Sequence, residues 1–143
     1  MPISCTVKDR IAEIVFDVPP VNAFDSDTWM SIPDIISDAG RNPDVNCILI
    51  RAEGRGFCGG VDIKEMQAHP ERITILNRGN YLTFKAIRDA EVPVVVAVHK
   101  FVIGGGIGAG AADLLFEPIR AELRLRVRTT ALDRVELVAA ELG

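Results

Sequence analysis

Apolar positions along the chain change their spacing several times, and each change marks an element. Residues 3–7 and 11–17 are short runs rich in β-formers, parted by Lys8, Asp9 and Arg10, which predicts a hairpin. Pro19 and Pro20 turn the chain, and a loop runs on through Asn22. Asp25, Ser26 and Asp27 then offer side-chain oxygens to the start of a helix running toward Gly40, with Pro33 placed near its beginning, where proline does least harm. The stretch CILIRA, residues 47–52, is a compact apolar run of strand length. It leads into EGRGFCGGVDIKEM, whose glycines predict a sharp turn before a short helix. Between residues 70 and 90, Ile73, Leu76, Tyr81, Leu82, Phe84 and Ile87 recur at spacings that predict an amphipathic helix. Residues 94–98 then predict a buried strand, followed by FVIGGGIGAG. Strand, glycine turn and helix thus occur twice. Such alternation predicts a largely parallel α/β arrangement, in which ligands collect at the carboxyl ends of strands.

Composition narrows the picture. The chain has 143 residues, 48% hydrophobic and 25% charged, enough for one domain with its own core. A net charge of −4 gives no reason to expect a nucleic acid or an anionic membrane as partner, so small molecules or further subunits are expected instead. Three widely spaced cysteines without a CxxC, and no signal-like opening, point to a reducing cytoplasm and offer no metal-binding pattern. The apolar runs are too short to span a bilayer as a helix.

The two glycine turns admit three readings. Gly104, Gly106 and Ala109 satisfy G-x-G-x-x-G/A after a strand, and LRLRVR would supply a second strand with Arg128 facing a 2′-phosphate, as in an NADP-binding module. That reading leaves GFCGGVDIK unused. In the second reading each turn aims a main-chain N–H at one shared carbonyl oxygen, where negative charge builds up during reaction. Glycine suits this role, because it tolerates unusual φ values and lets a substrate approach the backbone. Under the third, both clusters serve tight turns and close packing alone.

The ordered motifs RIAEIVFDVPPVNAF, GRGFCGGVDIKEM and PVVVAVHKFVIGGGIG resemble the crotonase superfamily, the enoyl-CoA hydratase and isomerase family, from about residue 11 to 108. The resemblance implies an α/β fold, a spiral of ββα repeats, represented mostly by its N-terminal core over residues 1–108. It implies coenzyme A thioesters as substrates, with coenzyme A as part of the substrate and no metal or redox cofactor. By position, the oxyanion donors are the backbone N–H groups of Val61 and Gly105. The loop around Asn22, Ala23 and Asp25, with Gly59, Asp62 and Ile63, is implied to lie along the acyl-CoA. Relatives of this kind assemble as homotrimers or hexamers.

Departures from the family pattern shape the expected reaction. Where hydratases carry a first catalytic glutamate, this chain has Gly108, so a two-glutamate hydratase lacks its base here. Residues 109–143 leave the pattern: Glu117 in FEPIR precedes its proline, and the end of the chain reads as an apolar helix. The sequence therefore reads as a shortened relative, a truncated gene or a frameshift. His99 and Cys58 form a candidate base and nucleophile, against which stands the plainer reading of Cys58 as a small buried turn residue. His69 is expected to face water, and Asp62 and Glu65 to act as caps or surface charges. The expected function is a CoA-thioester enzyme of the enoyl-CoA hydratase/isomerase type. AEGRGF, VDIKEM and GGGIG are also similar to branches that open rings in steroid-type CoA substrates, which makes a C–C bond hydrolase the first alternative. A non-catalytic acyl-CoA-binding remnant or assembly subunit is the second.

Overall fold

The computed structural model describes residues 2–98, 100–103, 117–119, 121 and 136–139. They fall in two compact units, Met1–Ala97 and Val98–Gly143.

The first unit opens with the expected hairpin. Strands β1 (Ile3–Lys8) and β2 (Ile11–Phe16) pair antiparallel. Asp9 and Arg10 both take positive φ, 50° and 64°, the two-residue turn whose twist matches that of the strands. Arg10 also anchors the hairpin tip, donating from its guanidinium to Asn46 Oδ1 at 2.9 Å. β4 (Cys47–Ala52) pairs parallel with β2, and β6 (Val94–Val96) pairs parallel with β4, giving the order β1-β2-β4-β6.

Alternation along β2 and β4 puts Ala12, Ile14 and Phe16 beside Ile48, Ile50 and Ala52 on one buried face. Helices α1 (Ser26–Arg41) and α3 (Ile73–Arg88) cover that face through Trp29, Ile32, Ile36 and Leu76. Each such large side chain contributes about 1.5–3 kcal/mol by leaving water. Asp25 caps α1 as expected, accepting from the Thr28 N–H at 2.8 Å.

Three expectations need correction. Pro33 stands in the middle of α1 rather than near its beginning. It has no N–H for the Trp29 carbonyl, and Gly79 of α3 packs there so closely that a Cβ would lie 2.9 Å from the Trp29 oxygen. The proline therefore lies one turn beyond a close crossing of the two helices. On α3, Ile73, Tyr81 and Phe84 are exposed, while Leu76, Gly79 and Thr83 form the buried stripe. In β6, Val95 and Val96 are exposed as well, because β6 is the last strand of this sheet among the described residues.

In the second unit, β7 (Lys100–Ile103) pairs parallel with β8 (Glu136–Ala139). The glycine run therefore follows β7, not the strand at 94–96. β8 occupies part of the stretch expected to be helical, while residues 117–119 and 121 are helical. Among the described residues no helix is long and apolar enough to cross a membrane.

Candidate active site

The first glycine turn leaves the end of β4 and is held against the Pro19–Pro20 loop. Asn22 makes the junction. Its side chain is fully buried and its φ is 57°, a left-handed value that asparagine tolerates better than most residues. Its Oδ1 accepts from the Val18 N–H at 2.6 Å, and its Nδ2 donates to the carbonyls of Glu53 at 2.8 Å and Gly56 at 2.7 Å. Its own carbonyl accepts from the Gly59 N–H at 3.0 Å. Sequence reading placed Asn22 along a ligand, but its amide is committed to the protein. The signal available was its chemistry: a short amide side chain in a loop can stand in for backbone partners.

Beyond the turn, β5 (Gly60–Val61) pairs parallel with β3 (Ala23–Phe24), with Ala23 opposite Gly60 and Phe24 opposite Val61. The Asp62 N–H donates to the Phe24 carbonyl at 2.9 Å. Successive residues of a strand present their N–H groups to opposite edges, so the Val61 N–H points away from β3. Gly60 needs its lack of a side chain for a φ of 94°, with open space where a Cβ would stand. Gly59 is different: a Cβ there would lie 2.9 Å from both the Val21 carbonyl oxygen and Cγ2. The close approach at Gly59 is made by the protein's own loop.

Helix α2 (Ile63–Ala68) starts at once. Asp62 caps it, accepting from Lys64 N at 2.8 Å, and Ile63 is 67% exposed. Glu65, expected as a cap or surface charge, is largely covered and reaches back to the start of α1. Its carboxylate accepts from the Ser26 N–H and Oγ, both at 2.7 Å, and from Arg72 at 2.8 Å. The Ser26 hydroxyl first, and Arg72 after it, hold this carboxyl below its ordinary value. Asp25 and Asp62 thus spend their carboxylates as helix caps, and Ala23, Asp25, Gly59, Val61, Asp62 and Ile63 all lie on the two segments that the β3–β5 pairing holds side by side. His69 is exposed, 3.3 Å from Glu71.

An apolar cavity of about 330 Å³ borders the turn. Phe16, Phe24, Trp29, Phe57, Cys58 and Gly60 are among its walls. The rings interlock edge-on, with Phe16 5.2 Å from Phe24 and Phe24 5.5 Å from Trp29. A second hollow of about 390 Å³ lies between the far ends of α1 and α3, by Arg41 and Lys85, away from the turn. Burial raises the Cys58 thiol above its ordinary value. By residue surface Cys58 is nonetheless exposed at the turn, not the small buried turn residue expected.

Residues 6–117 match the enoyl-CoA hydratase/isomerase family. The chain belongs to that family. A CoA hydrolase of Rhodococcus jostii, whose substrate is a (7aS)-7a-methyl-1,5-dioxo-hexahydro-1H-indene-carboxyl-CoA, is 50% identical over 115 residues, 78% of this chain and 45% of the relative. The hydrolase of the same name from Mycobacterium tuberculosis is 45% identical over 120 residues, 80% of this chain and 48% of the relative. An enoyl-CoA hydratase/isomerase family protein from Hyphomonas neptunium shares the fold, with a TM-score of 0.63 at 23% identity, over 97% of this chain and 70% of that structure. The chain spans about half the length of the curated relatives it matches.

The family match reaches Glu117, so the likeness extends past the limit of 108 read from motifs alone. It takes in both glycine turns, which the NADP reading did not. Gly105, Gly108 and His99, together with the LRLRVR stretch, lie outside the described residues. Glu117 itself is helical and exposed.

Proposed function

We propose that this family member acts on a CoA thioester, with the Val61 N–H as one donor to an oxygen that gains negative charge. Its reaction is hydrolysis of a C–C bond in a fused-ring keto substrate, water adding across the cleaved bond while the thioester stays intact. One observation carries the site: the Asp62 N–H is spent on the Phe24 carbonyl, so strand alternation turns the adjacent Val61 N–H off the β3–β5 ladder. Support for the substrate class comes from the relatives at 50% and 45% identity, both named as hydrolases of a methyl-dioxo-hexahydroindene carboxyl-CoA. The walls next to the turn fit that choice, since apolar phenyl and indole walls suit the largely carbon frame of a rigid bicyclic diketone better than a charged or flexible polar group. Gly105 is the proposed second donor, by position in the family. Two donors fixed before the reaction begins stabilise an oxyanion without reorganising at the moment of bond cleavage. Ala23, Asp25, Gly59, Asp62 and Ile63 are proposed to flank the thioester.

The second reading, hydration or isomerisation of an enoyl-CoA, uses the same donor, and hydration by a pair of glutamates asks for a carboxylate where this chain has Gly108. Turnover of the bicyclic carboxyl-CoA and of crotonyl-CoA, measured side by side, separates the two. Ring opening of the bicyclic thioester supports hydrolysis, and water addition to crotonyl-CoA alone supports the second reading. Binding of either without turnover selects a non-catalytic acyl-CoA-binding protein. The donor is tested by Val61→Pro, which deletes an N–H that the β3–β5 ladder does not use, against Val61→Ala, which keeps it. The proline variant is expected to lose about a hundred- to a thousandfold in kcat, and the alanine variant to keep most of it.

A further inference from the structure

Asn22 is the point at which the two loops of the site are joined, and its bonds are distributed unusually widely. One carboxamide reaches the start of the glycine turn at Glu53 and its middle at Gly56, while the backbone carbonyl of the same residue reaches its end at Gly59. The opposite face of the amide holds the Val18 N–H, and the Asn22 N–H closes the Pro19–Pro20 loop by donating to Val18 O at 2.7 Å. β3 begins at the next residue, and β5 begins at the residue after Gly59. The register that aims the Val61 N–H therefore descends from Asn22 on both strands. A two-residue ladder has too few bonds of its own to fix that register.

We propose that Asn22 is a positioning residue: its carboxamide sets the direction of the Val61 N–H by clamping residues 53–59 to residues 18–22. This rests on the reading of Val61 as an oxyanion donor. The side chain touches no substrate, since it is 1% exposed and both Nδ2 hydrogens and Oδ1 are engaged within the protein. An aspartate would keep the acceptor for Val18 but set an oxygen against two carbonyls. A glycine would keep the left-handed backbone and remove the clamp.

The test uses the full chain with Asn22→Gly and Asn22→Asp, and Val45→Ala as a control that weakens the core elsewhere. Amide hydrogen exchange and thioester turnover are both measured well below the melting temperature. Expected in both Asn22 variants is native far-UV circular dichroism, with exchange at residues 57–62 faster by about tenfold or more while β2 and β4 keep their protection. Turnover should fall about a hundredfold in kcat with KM within about threefold, as a donor displaced by an ångström would produce. Val45→Ala should lower the melting temperature without either local change. Unaltered exchange at 57–62 in the glycine variant overturns the clamp, as does a kcat loss no larger than that of the control. Absence of turnover in the wild-type chain would instead overturn the catalytic role of Val61, and the exchange data would still judge the clamp alone.

Discussion

Gly59 and Gly60 are neighbours that are glycine for different reasons, and substitution should separate them. At Gly60 the space is open and only the φ of 94° resists a side chain, so Gly60→Ala should cost about 1–3 kcal/mol in a urea titration with no rearrangement elsewhere. Glu65 makes a prediction in pH. Its carboxyl is held below the ordinary 4.5, chiefly by the Ser26 hydroxyl and then by Arg72. A lowered folded-state value means stabilisation that is complete above the unfolded value and lost as pH falls through the folded one. The stability gap between wild type and Glu65→Gln should therefore be full at neutral pH and close progressively below about pH 4.5 in an acid titration followed by circular dichroism. A gap that stays constant down the acid arm would exclude the ionised pair as its source. The motif VDIKEM marked a helix start, and Asp62 fulfils it. That Glu65 would serve a different helix was not legible, because its partner Ser26 lies 39 residues away and only the fold brings them together.

Helices α1 and α3 show how far local pattern carries. Asp25 before SDTWM announced α1 correctly, because capping is a local interaction whose partners lie within one turn. Pro33 misled, since local sequence does not report the helix crossing one turn before it. Gly79 makes that crossing, and it gives a prediction in which two effects oppose. Gly79→Ala gains about 1 kcal/mol of helix propensity, but its Cβ would stand 2.8 Å from the Trp29 carbonyl carbon, on backbone that the core holds in place. Overpacking of this kind costs about 1–3 kcal/mol, so a net loss is expected, read as a lower urea midpoint. The periodic apolar set on α3 was real, yet Tyr81 and Phe84 lie on the exposed side. Periodicity identifies a helix and leaves open which of its apolar residues the core uses.

At the scale of the molecule, sequence alternation gave the parallel strands β2, β4 and β6 and the hairpin that precedes them. The pairing of β7 with β8 was less legible, because the two lie 36 residues apart and no local signal reports such a partner. Half the candidate site was readable from GFCGGVDIK, whereas the clamp that orders it required knowing which loop lies beside which. β6 ends its sheet among the described residues with Val95 half exposed, an arrangement that invites association through the edge. Val95→Lys should leave stability within about 0.5 kcal/mol and reduce concentration-dependent sedimentation. An unchanged sedimentation profile would show that this edge takes no part in self-association.

Trp29, the sole tryptophan of the chain, stands in the wall of the apolar cavity with its ring against Phe24. Its ultraviolet emission is thus a built-in reporter. An acyl group entering beside the indole should shift or quench that signal and shield it from acrylamide, so occupancy can be followed optically without labelling the protein or waiting for a product.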